Sequence, residues 1–198
     1  MEKNIARAIS WLLHPLLIPT YTLAILLNTD IFVPPSVPLT WKLMLTGIIL
    51  LTTFVIPLTL TWILLRLRMI TSFYLETREE RIYPILTVAV FYYLTFYLLK
   101  GVHLFTVFRY FMLGGTLLAI LALVINFYRK ISLHTIGMGS VTGLFLGLSL
   151  KFGINFNTEI LAGILLSGIT GYARLKSGSH KPAEIYSGFV LGILVLVL

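Results

Sequence analysis

Residues 42 to 65 read KLMLTGIILLTTFVIPLTLTWILL, and after Lys42 no charged side chain follows until Arg66. Such a run crosses the hydrocarbon core of a bilayer as a helix, for which about 20 apolar residues suffice. Similar runs recur, with candidate spans at 9–28, 42–65, 84–100, 107–127, 133–151, 158–175 and 182–198. With 58% of the 198 residues hydrophobic and only 11% charged, one soluble core could not bury this much apolar surface. The runs are continuous rather than alternating, which argues against outer-membrane strands and for helices that satisfy their own backbone in lipid. The expected fold is all-α, a polytopic transmembrane helical bundle of about six to seven spans. A single integral membrane domain is expected over residues 1–198, with amino-terminal spans over 1–75 and a core over 76–198.

There is no cysteine, which removes disulfides, thiolate metal sites and cysteine nucleophiles. The segment after Asn4 lacks a small-residue cleavage site and contains His14, Pro15 and Pro19, so it reads as a retained, kinked first helix rather than a signal peptide. A net charge of +8 in a membrane chain points to orientation and anionic head groups, not nucleic acid. No nucleotide loop, metal-ligand run or nucleic-acid motif accompanies it. If all seven spans cross, eleven of the basic residues share the side of the amino terminus, and only Lys42, Lys100, Arg109 and Lys151 lie opposite. That asymmetry favours a cytoplasmic amino terminus; setting aside five cations in polar clusters narrows it to six against four.

Small residues recur every four positions in the last three spans. Gly139, Gly143 and Gly147 form one stripe, Gly163, Ser167 and Gly171 a second, Gly188 and Gly192 a third. This spacing gives smooth helix faces that let backbones approach, so the carboxyl-terminal half is expected to pack tightly.

Polar residues gather in three places: Glu76 to Arg81, Ser132 to His134, and Arg174 to Glu184. Two spans separate each cluster from the next, so all three emerge on one membrane face. In the third, Pro182 suits a first helical turn and Ser179 an N-cap, so a helix should begin around 179–182. His180 and Glu184 then share a face, and a carboxylate at that spacing can hold one imidazole nitrogen while the other serves as nucleophile or base. A helix amino terminus there adds backbone donors suited to phosphate. His134 opens the fifth span behind Arg129 and Lys130, while Arg78 and Arg81 lie three apart beside Glu79 and Glu80. His14, Tyr21 and Asn28 are candidates to line a substrate path, and His103 reads as interfacial.

In this order the clusters resemble the type 2 phosphatidic acid phosphatase superfamily, whose motifs are Lys-x6-Arg-Pro, Pro-Ser-Gly-His and Ser-Arg-x5-His-x3-Asp. Residues 173–184 read Ala-Arg-x5-His-x3-Glu, matching Arg174 and His180, with Glu184 in place of the aspartate. Residues 131–134, Ile-Ser-Leu-His, keep Ser132 and His134. In the first motif Arg81 stands for the arginine, Pro84 comes three residues later, Tyr74 occupies the lysine position and Arg78 supplies a nearby charge. The resemblance implies metal-independent hydrolysis of a lipid phosphate or diphosphate through a phosphohistidine, with no cofactor. It implies His180 as nucleophile, Glu184 as its partner, His134 as acid, and Arg78, Arg81, Arg174 and Ser132 as phosphate-binding groups. A phosphotransferase with the same site, or a phospholipid binder or transporter with a decayed one, are the alternatives. The expected partners are a lipid phosphate substrate and membrane lipids, and the expected location is a bacterial inner membrane.

Overall fold

The computed structural model describes residues 2–73, 75, 77–102 and 105–197, and every regular element among them is helical. In chain order these are α1 (Glu2–Leu12), a 3-10 turn (Pro15–Leu17), α2 (Ile18–Leu27), α3 (Leu39–Leu50), a π-helical turn (Leu51–Val55) and α4 (Ile56–Arg66). They continue as α5 (Arg78–Leu98), α6 (Thr106–Tyr128), α7 (Leu133–Phe152), α8 (Asn157–Lys176) and α9 (Pro182–Val197). Among the described residues, five stretches are long and apolar enough to cross a membrane: Asn4–Leu27, Leu39–Arg66, Arg78–Leu98, Thr106–Tyr128 and Leu133–Phe152. The chain is thus a helical membrane bundle, with side chains such as Trp41, Leu98 and Leu150 more than half exposed where lipid replaces water. Of the other two expected spans, α8 carries Glu159, Arg174 and Lys176 at its ends, and the 16 residues of α9 rise only about 24 Å.

Local chemistry explains the boundaries. The first span breaks after α1 because Pro15 has no N–H to continue the ladder, and His14 takes an extended conformation to cap the following turn. The third span starts at Arg78, six residues before the expected position. Thr77 accepts a hydrogen bond from the Glu80 amide while the Glu80 carboxylate accepts from the Thr77 amide, and this reciprocal cap starts α5 upstream of Pro84. The π turn ends two residues before Pro57, where the Ile56 N–H reaches back five residues to the Leu51 carbonyl. Tyr74, Glu76 and His103 fall outside the described residues.

By packing, the chain divides into two compact units, Met1–Ile18 with Val124–Leu198, and Pro19–Leu123. The boundary read from sequence, between residues 75 and 76, falls inside the second unit. That unit is held by α3, the π turn and α4 against α5, where Thr95 donates to Thr52 across 3.0 Å in a buried pair.

In the first unit α7 is the central helix, packed against both α8 and α9. The glycine stripes lie in these contacts. A Cβ at Gly143 would stand 2.6 Å from the Ile193 carbonyl oxygen and one at Gly147 3.0 Å from that of Val197, while Gly139 faces the Phe189 backbone. From the other side, a Cβ at Gly188 would meet the Ser132 carbonyl at 2.8 Å. Partner numbers rise together, so α7 and α9 run parallel with their backbones nearly touching.

Candidate active site

Parallel packing of α7 and α9 puts their amino termini at the same end of the first unit, and α8, returning between them, delivers its carboxyl terminus there. The Ser132 amide donates to the Glu184 carbonyl across 3.2 Å, tying the start of α7 to the first turn of α9. Ser132 is fully buried and is the N-cap of α7, its hydroxyl accepting from the Thr135 amide. Two positively poled helix ends therefore converge, the arrangement that favours an anion.

The end of α8 explains the Arg-x5-His spacing. Gly178, at φ 70°, turns the chain through the left-handed region; its amide bonds the Leu175 carbonyl at 2.9 Å, and the Ser179 amide bonds the Arg174 carbonyl at 3.2 Å. This six-to-one and five-to-two pattern is a Schellman closure. It folds the intervening residues back so that His180 emerges next to the turn bearing Arg174. A Cβ at Gly178 would meet nothing within 4 Å, so Gly178→Ala carries only the backbone penalty of about 1 kcal/mol. Its thermal midpoint in detergent should fall by about 2–4 °C; an unchanged midpoint would mean that the left-handed turn is not part of the folded state.

The start of α9 differs from the expected cap. The Glu184 and Ile185 amides bond the Lys181 carbonyl, so Lys181 and not Ser179 is the capping position. Ser179 instead pairs with Ser177, hydroxyl to hydroxyl, at 2.8 Å. A lysine side chain cannot accept from the first turn, and the Glu184 carboxylate satisfies the cap from within the helix by accepting the Lys181 N–H at 3.4 Å. The same oxygen, Oε2, lies 2.7 Å from His180 Nδ1. The His180 side chain is 2% exposed and that of Glu184 19%. Facing a carboxylate, Nδ1 carries the proton, and the lone pair of the neutral ring belongs to Nε2.

His134 occupies the second position of α7, with Nε2 3.1 Å from the main-chain oxygen of Ser10 on α1. A carbonyl only accepts, so Nε2 carries a proton and Nδ1 is the nitrogen open to exchange. Arg174, His180 and His14 all act electrostatically on His134, and Arg174 also on His14. The His14 ring lies edge-on to that of His134, with centroids 5.5 Å apart and planes at 77°. The His14 ring also stacks on Trp11, with centroids 5.8 Å apart.

The structure thus brings together Ser132, His134, Arg174, His180 and Glu184. To these it adds His14 and the Ser10 carbonyl. Sequence carried only a weak signal for His14, a histidine inside a span, and none for a main-chain oxygen. Arg78 and Arg81 belong to the other unit. There Arg78 is exposed at the first position of α5, and Arg81, 5% exposed, donates through Nε to the Leu75 carbonyl at 3.0 Å. Glu80 anchors its own loop, its carboxylate accepting the Thr71 amide at 2.6 Å. Among the described residues no three His, Asp or Glu are grouped as metal ligands. The chain matches no family model, no curated protein and no solved structure.

Proposed function

We propose that this protein is a membrane-embedded, metal-independent phosphatase for lipid phosphates or diphosphates, working through a phosphohistidine. The observation that carries the reading is the buried His180–Glu184 pair at 2.7 Å, set at the start of α9 beside Arg174 and His134. Glu184 holds the proton on Nδ1, so Nε2 of His180 attacks phosphorus as the bond to the leaving oxygen breaks. His134 takes up on Nδ1 the proton that the substrate phosphate brings as its monoanion, and gives it to that oxygen. Water then attacks the phosphoryl group, its proton passes to His134, and the phosphorus–nitrogen bond breaks to release inorganic phosphate. Arg174 and the backbone donors of the first turn of α9 hold the charge on the equatorial oxygens. Ser132 acts through the first turn of α7, fixing the position of His134. Arg78 and Arg81 enter this reading through the sequence resemblance.

The membrane setting follows from the substrate. A tail in the bilayer lies along the helices while the phosphate reaches the polar end of the unit. Helical spans, rather than a β-barrel, fit a plasma-type membrane, and a bacterial inner membrane is the setting proposed.

The test is phosphate release by purified protein in detergent from a panel of lipid monophosphates and diphosphates, with chelator present. Release that persists in chelator is the expected result. Turnover that appears only with an added lipid or sugar hydroxyl, without free phosphate, would replace hydrolysis by transfer. No turnover of either kind from folded protein would overturn the catalytic reading.

A further inference from the structure

The amino-terminal segment carries none of the three motif clusters, yet it touches the acid–base histidine twice. The Ser10 carbonyl accepts a hydrogen bond from Nε2 of His134 at 3.1 Å, and one turn later the ring of His14 meets that of His134. His14 is itself immobilised. Its Nδ1 accepts the Leu16 N–H at 3.3 Å as the cap of the 3-10 turn, and its ring stacks on that of Trp11. With Nδ1 committed as an acceptor, the proton of the neutral ring sits on Nε2.

We propose that His14 is a positioning residue for the acid–base chemistry of this site, its fixed ring setting the plane in which His134 presents Nδ1 to the leaving oxygen. The inference rests on the phosphatase reading and adds to it a residue that the motifs do not contain. Two constraints define an imidazole. The Ser10 carbonyl fixes one nitrogen and so the tautomer, but leaves the ring able to rotate about that hydrogen bond. The perpendicular His14 ring removes this rotation. The charged and titratable groups acting on His134 and His14 from the surrounding elements are Arg174 of α8 and His180, with Glu184 of α9 behind His180.

His14→Asn is the informative variant. The asparagine side-chain oxygen can keep the cap on Leu16, and the ring against His134 is gone. A general acid matters in proportion to how poor the leaving group is, so each variant should be assayed on an alkyl phosphate lipid and on p-nitrophenyl phosphate. The aryl group departs without protonation. Misplacing a catalytic group by about 1 Å costs up to about 10²-fold, and acid catalysis as a whole about 10²–10⁴-fold. His14→Asn is expected to slow alkyl phosphate turnover about 30-fold and aryl phosphate turnover less than about 3-fold. His14→Phe, which restores a ring on Trp11 without the cap on Leu16, should recover part of the alkyl rate and bring the ratio of the two rates back towards that of the wild type.

The ratio of the two rates is independent of how much protein is folded, so partial unfolding cannot imitate the result. Equal slowing of both substrates, or slowing of neither, would overturn the role of His14. Wild-type protein that hydrolyses neither substrate would instead overturn the phosphatase reading beneath it.

Discussion

Replacing His180 with alanine is expected, on the proposed phosphatase reading, to lower phosphate release at least about 10⁴-fold, because without its nucleophile the site would keep only binding and charge stabilisation. The substitution removes the ring that Glu184 orients and leaves Arg174, His134 and both helix ends in place. Glu184 keeps its contact with the Lys181 amide, so the stability cost should stay near 1–2 kcal/mol. Acid lability provides a second readout. A phosphorus–nitrogen bond survives base and breaks in acid, so wild-type protein quenched during turnover of labelled substrate should carry base-stable, acid-labile label, and the alanine variant none. Retention of more than a tenth of the activity would place the nucleophile elsewhere. Glu184→Gln refines the test, since it preserves size and a hydrogen-bonding oxygen but removes the charge opposite Nδ1. It should be slower than wild type and faster than the His180 variant.

Much of the fold was legible because lipid imposes its condition locally. Each run of about 20 apolar residues must satisfy its own backbone, so spans can be read one at a time without knowing their neighbours. The Arg174 to Glu184 stretch was legible for a related reason. Its geometry arises from a Schellman closure and a single helical turn, all within eleven residues. The glycine stripes were readable as smooth faces, since which helix they meet does not affect the spacing.

Where the reading stopped short, two kinds of cause are visible. Some signals were local but outweighed, as at Thr77 and Glu80, whose reciprocal cap starts α5 six residues ahead of the apolar run that hydropathy picks out from residue 84. At Lys181 an unlikely capping residue is supported by an acid three positions on. Others were never local. Ser10 and His134 are 124 positions apart, and the contact runs through a main-chain oxygen whose side chain says nothing about it. The two-unit division has the same character. It joins the first eighteen residues to the last seventy-five, a grouping that depends on α1 packing against α8.

Tight packing of α7 on α9 yields the largest expected structural effect, in Gly143→Leu. A Cβ there would lie 2.6 Å from the Ile193 carbonyl oxygen and 2.8 Å from its Cα, and neither atom can move aside as a flexible side chain would. The helices must separate, and separation acts along the whole stripe from Gly139 to Gly147 because both helices are stiff. Destabilisation of about 4 kcal/mol or more is expected, at the upper end of single substitutions. The thermal midpoint in detergent should fall by roughly 10 °C. Gly168→Leu is the matched control, the same change in α8 at an exposed glycine with nothing within 4 Å of its Cβ. Relief of the helix penalty of glycine should leave it neutral or slightly stabilised, by up to about 1 kcal/mol. The consequence reaches the candidate site as well. The bond from the Ser132 amide to the Glu184 carbonyl spans the two helices that Gly143→Leu forces apart, so His134 and His180 lose their common frame. Phosphate release should therefore fall with the folded fraction in Gly143→Leu and stay at the wild-type level in Gly168→Leu. A Gly143→Leu protein as stable as the control would mean that backbone contact does not hold this pair together.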